Sequence, residues 1–142
     1  MPNFTLLNPS SSIRMLDWQK TASTAYAVGD LVTADADGSG VGFDKANATS
    51  VYHVGVVQET VASTDSDYAS TTRENLLVDV FGEYLATVGT GTADANDDGN
   101  LVDLTASGTI DVTAGSVKAF LVRKSLSSTV VQGFITKWGY IF

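Results

Sequence analysis

The chain has 142 residues and a mass of 14.9 kDa, enough for one domain with its own core and no need of disulfide staples. It has no cysteine, which excludes a disulfide scaffold, a thiol nucleophile and any Cys-based zinc or iron–sulfur site. Lys and Arg number 8 against 16 Asp and Glu, and the resulting net charge of −8 argues against nucleic-acid binding through a general positive field.

The residue mix favours β structure. There are 17 Val and 17 Thr, both stiff at χ1 and suited to pleated strands. Asp, Asn and Gly fill the breaks between apolar runs, where they make turns. No apolar run approaches the ~20 residues of a membrane-spanning helix. The opening Met1-Pro2-Asn3 predicts no signal peptide and no membrane partner.

In chain order, residues 1–25 hold neither period 2 nor period 3.6 for long, and Pro2, Pro9 and Ser10 to Ser12 interrupt them. This predicts an extended amino-terminal arm lying on its own domain or on a neighbour. Its apolar anchors are Phe4, Leu7, Ile13 and Trp18, with Arg14 and Lys20 adding charge. Residues 26–142 then read as one β domain. Strands are predicted over Tyr26–Thr33, Val51–Val57, Leu76–Val88, Leu101–Leu104, Thr109–Val112, Lys118–Arg123 and Thr129–Phe142. A short helix fits near Tyr68 to Glu74, and Gly82 marks a bulge or close backbone approach. Short strands with turns between them predict an all-β fold, a small barrel or a sandwich. In the last strand, strict alternation would put Phe134, Trp138, Tyr140 and Phe142 on one face, packed in the core or at a subunit contact.

Candidate chemistry is sparse. His53 is the only histidine, and no base, nucleophile or second ligand is marked around it, so it reads as a partly buried strand residue. Gly38-Ser39-Gly40 lacks the Gly-x-Ser-x-Gly spacing of a nucleophile elbow. Asp94-Ala95-Asn96-Asp97-Asp98-Gly99 fits the opening of a calcium loop through Asp94, Asn96 and Asp98, but position twelve is Thr105, where a bidentate Glu is required. Asp35 to Gly40 fits more loosely, with Ala46 at position twelve. Both read first as solvated turns. Asp79 and Glu83 share a strand direction and form a candidate carboxylate pair, against which stands the plainer reading of two surface acids beside a bulge. No catalytic set and no cofactor is expected.

Several segments, taken in order, resemble the head decoration proteins of bacteriophages, also called capsid cement proteins. Tyr26-Ala27-Val28-Gly29-Asp30-Leu31-Val32 resembles their early Gly-Asp strand, and Tyr52 to Val57 their following Gly-Val strand. Leu77 to Tyr84, Lys118 to Arg123 and Val131 to Ile135 resemble the later and closing strands. The resemblance implies a β-tulip or related small barrel on the outer surface of the virion capsid. It implies a homotrimer that clamps neighbouring copies of the major capsid protein, without cofactor or reaction. In that setting the arm would bind capsid or neighbour, and the carboxyl aromatics would join the copies. Other readings are a phage tail-tube or baseplate β protein, and a calcium-assisted carbohydrate- or cell-surface-binding module. The acids gather in loops, with Asp17 alone in the first 25 residues and none after Asp111.

Overall fold

The computed structural model describes residues 2–8, 15–34, 44–48, 53–69, 75–137 and 140–141, with backbone alone for 15–19, 75, 137 and 140–141. The strands are β1 (Phe4–Asn8), β2 (Met15–Gln19), β3 (Leu31–Thr33), β4 (Asp44–Lys45), β5 (His53–Val57), β6 (Asn75–Asp79), β7 (Glu83–Thr90), β8 (Leu101–Leu104), β9 (Ile110–Asp111), β10 (Phe120–Ser127), β11 (Val130–Lys137) and β12 (Tyr140–Ile141). One 3-10 turn, Ala95–Asp97, precedes β8. The all-β expectation holds.

The strands form two sheets. In the first, the order β1-β7-β9-β8-β10-β11-β12 is supplemented by a β7–β11 pairing. That pairing closes β7, β9, β8, β10 and β11 into a five-stranded barrel. β9 runs parallel to β7 and the other pairings are antiparallel. The first half of β7 also carries β1, which pairs Phe4 with Ala86 and Leu6 with Tyr84. The second sheet is open and antiparallel, in the order β2-β6-β5-β3-β4.

Alternation along the strands fills the barrel. Tyr84, Ala86 and Val88 of β7 point inward, as do Phe120 and Val122 of β10 and Val131 and Ile135 of β11. Phe4 joins them, edge-on to Tyr84 with ring centroids 6.3 Å apart and tilted against Phe120 at 5.8 Å. Each Val, Ile or Phe side chain among them contributes roughly 1.5–3 kcal/mol by leaving water. A second cluster holds Tyr26, Val32, Val54, Val57, Val61, Leu76 and Val78 in the open sheet. Leu31 and Val56 belong instead to the barrel core, and all five residues of β5 are buried. The open sheet therefore packs onto the barrel through β3 and β5.

Two sequence expectations change. The predicted strand Leu76–Val88 is two strands in two different sheets, because the chain turns a corner at Val80-Phe81-Gly82. The predicted strand Thr129–Phe142 stops at Lys137 and folds back, so Tyr140 lies opposite Lys137 and Ile141 opposite Thr136. The described parts of residues 1–25 include one strand in each sheet, β1 on β7 and β2 on β6. Tyr68 and Ala69 lie in turns, and residues 70–74, the rest of the predicted helix, lie outside the described ones.

Candidate functional site

The corner between the sheets is built around Asp79. Asp79 is 1% exposed, and its Oδ1 accepts from the Gly82 N–H at 2.9 Å and from the Tyr84 hydroxyl. Oδ2 is buried without a hydrogen-bond partner. Burial first, then the hydrogen bond and charge of Asp79, push the Tyr84 phenol far up, so it stays a donor. Asp79 ends β6 in one sheet and Tyr84 enters β7 in the other, so this hydrogen bond joins the two sheets.

Glu83 belongs to a different network. Its Oε1 accepts from Arg123 Nη1 at 2.6 Å and Gln132 Nε2 at 2.5 Å, and its Oε2 from Asn8 Nδ2 at 3.3 Å. Burial alone would raise this carboxyl, but those hydrogen bonds and the Arg123 charge hold it below its ordinary value. Glu83 thereby ties together β1, β7, β10 and β11. The candidate pair Asp79 and Glu83 is thus divided between a buried corner and the barrel exterior.

The acidic turn from Asp94 to Gly99 uses its oxygens locally, while Asp35 to Gly40 lie outside the described residues. Asp94 caps the 3-10 turn, accepting from Asn96 N–H at 2.7 Å, while Asp97 Oδ2 accepts from Asp94 N–H at 3.0 Å. Asp98 Oδ1 accepts from Ser125 N–H at 2.7 Å, which anchors the β10–β11 hairpin. Among the described residues no group of three or more His, Cys, Asp or Glu could hold a metal ion. Asp103 accepts from the N–H groups of Ser116, Val117 and Lys118 and from the Ser116 hydroxyl. Burial would raise its carboxyl, yet these donors hold it below the ordinary value and fix the loop before β10. His53 is buried in β5 opposite Thr33.

The predicted contact residues fare differently. Phe4 is 1% exposed inside its own barrel, which corrects its reading as a capsid-binding anchor: β1 pairs with β7, and the barrel interior takes the ring. Leu7, on the same strand, is 40% exposed. Trp18 has its backbone in β2, paired with Leu76, while Ile13 and Arg14 lie outside the described residues. Phe134 is half-buried on the barrel exterior opposite Leu121. Tyr140 is in β12, and Trp138 and Phe142 lie outside the described residues. Sequence reasoning missed the exposed Leu126 at the β10–β11 tip and the exposed Phe81 at the corner. Leu126 sits in the run Ser125-Leu126-Ser127-Ser128-Thr129, whose hydroxyl residues signal a solvated turn.

Among the described residues no helix is long and apolar enough to cross a membrane. No family model matches the chain, and no curated protein or solved structure shows significant similarity to it.

Proposed function

We propose that the chain is a structural decoration protein of a bacteriophage head. It binds the outer surface of the assembled capsid and stabilises contacts between major capsid subunits. It acts by surface contact, without a reaction or cofactor.

The observation that carries this reading links the resemblance to the architecture. The segments that resemble decoration proteins fall, in order, on β3, β5, the β6–β7 corner, β10 and β11. Their glycines sit where the backbone leaves no room. A methyl group at Gly55 would overlap the Asp79 carbonyl oxygen, and one at Gly133 the Leu121 carbonyl oxygen. The resemblance therefore rests on residues this two-sheet arrangement requires. Among the described residues, exposed Leu7, Val28, Phe81 and Leu126 supply apolar points for contact.

The test is reconstitution. Purified protein is added to heads of the encoding phage prepared without it. Saturable co-sedimentation and greater resistance of the heads to heat are expected. Protein that stays in the supernatant at every concentration would refute the reading.

A further inference from the structure

The chain contains two Asp-Gly pairs, Asp37-Gly38 and Asp98-Gly99. The first lies outside the described residues, and the second closes the 3-10 turn ahead of β8. An Asp-Gly pair carries a reaction of its own. The glycine nitrogen has no side chain beside it, so it can attack the aspartate side-chain carboxyl carbon and close a five-membered ring.

At Asp98 this reaction is not prevented by lack of space. Asp98 is exposed, and nothing lies within 4 Å of where a Cβ at Gly99 would stand. Hydrogen bonds from β10 hold the reacting groups instead. The Gly99 N–H, which would attack, donates to the Val122 carbonyl at 2.7 Å. Asp98 Oδ1, on the group to be attacked, accepts from the Ser125 N–H at 2.7 Å. The two anchors stand on either side of the β10 bulge, where the register steps between Val122 and Lys124. The Asp98 backbone is extended, with φ −61° and ψ 122°, which turns the Gly99 nitrogen away from the Asp98 side chain. Ring closure needs a large rotation about that ψ, and the rotation breaks the bond to Val122.

We propose that Asp98-Gly99 is a covalent modification site, open to isoaspartate formation only while β10 is undocked. The Gly99 nitrogen bonds to Asp98 Cγ, and its hydrogen, one carboxyl oxygen and a solvent proton leave as water. Water then adds to the main-chain carbonyl carbon of Asp98 in the ring and breaks the bond from that carbon to nitrogen. The chain now runs through Cγ and is one carbon longer, with the carboxylate on the former backbone carbon. Mass is unchanged over the two steps. The spacing between the groups that met Val122 and Ser125 is altered, so a modified site fits β10 less well. The device therefore works in one direction: β10 shields the site, and modification weakens the docking of β10. Neither step depends on head binding.

Peptide mapping tests it. Wild type and Asp98→Asn are incubated at neutral pH, folded and in guanidinium chloride. The substitution keeps an acceptor oxygen for Ser125, and ring closure then releases ammonia instead of water, so the reaction is read as a mass change. Wild-type isoaspartate is read by separating the isomeric peptides and by labelling with an isoaspartyl methyltransferase. Asp37-Gly38 in the same denatured samples is the internal standard.

Both proteins are expected to react in denaturant and to react about a hundredfold or more slowly when folded, because reaction from a locally opened state tracks its population. Amide exchange at Gly99 and the reaction rate should rise together as mild denaturant is added, since one opening frees both. Modified wild type, purified and refolded, should melt below the unmodified protein. Equal rates in the folded and denatured states, or no reaction at Asp98 while Asp37 reacts in denaturant, would overturn the proposal. So would reaction of the folded protein without exchange at Gly99. A modified chain that refolds to an unchanged melt would overturn the one-way step.

Discussion

The barrel and the open sheet are made from similar residues and held together differently. The barrel has three strands of eight residues, β7, β10 and β11, and its closure leaves none of its five strands with an unpaired edge. Its core is aromatic, around Phe4, Tyr84 and Phe120. The open sheet has no strand longer than five residues, ends on β2 and the two-residue β4, and packs mainly valine. An open sheet must bury its apolar face against another layer. It leans on the barrel through Leu31, Val56 and the Asp79–Tyr84 hydrogen bond. Loss of the barrel should therefore unfold the whole chain, whereas damage to the open sheet should be felt mostly there.

The sharpest way to break this asymmetry is Phe4→Ala. It opens a cavity beside Tyr84 and Phe120 and should cost about 3–5 kcal/mol in urea unfolding, with both sheets lost together. A loss below about 1 kcal/mol would remove Phe4 from the core. Next is Asp103→Ala, expected to cost about 3 kcal/mol because three N–H groups and a hydroxyl lose a charged acceptor. Burial works against the Asp103 carboxylate, but the bound donors outweigh it and the folded value lies below the ordinary 3.8. Its stabilisation is accordingly full above that value and disappears as pH falls through the lower, folded one. Acid titration of the melting temperature should show this loss in the wild type and a shallower slope in the variant.

Tyr84→Phe probes the joint itself. It leaves the buried Asp79 carboxyl with only the Gly82 N–H and should cost about 2 kcal/mol. Amide exchange should then quicken in β3 and β5 before β10 and β11; uniform quickening would mean the sheets unfold as one unit. The smallest change is Lys20→Met, which removes two hydrogen bonds to the 62–69 turn and should cost about 1 kcal/mol. Its effect on exchange should stay within the open sheet.

Much of the fold was legible because alternation is a local signal. Glu83 to Val88 and Phe120 to Val122 show it plainly, and both are strands. Sheet membership is not local. Leu76 to Val88 reads as one apolar run, and the corner depends on Asp79 meeting Tyr84 once the backbone has turned. Phe4 to Asn8 is too short to display a period, and its burial is decided by β7, far along the chain. At the carboxyl end, alternating aromatics suited a straight strand, while Gly139 stands between two strands that pair as a hairpin. The lack of acids after Asp111 is visible in the sequence, but the bulge that exposes both Arg123 and Lys124 is a property of the pairing.

The pairing of Phe4 with Ala86 also sets a timetable. On the ribosome, residues 15–79 supply every strand of the open sheet, but the barrel on which that sheet leans is still being made. The barrel cannot close until Val131 has emerged to meet Ala86. Until then Phe4, Leu31 and Val56 have no interior to enter. Such distant contacts fold slowly and leave a sticky nascent chain. β1 is thus made before the other described strands and is among the last to find its place.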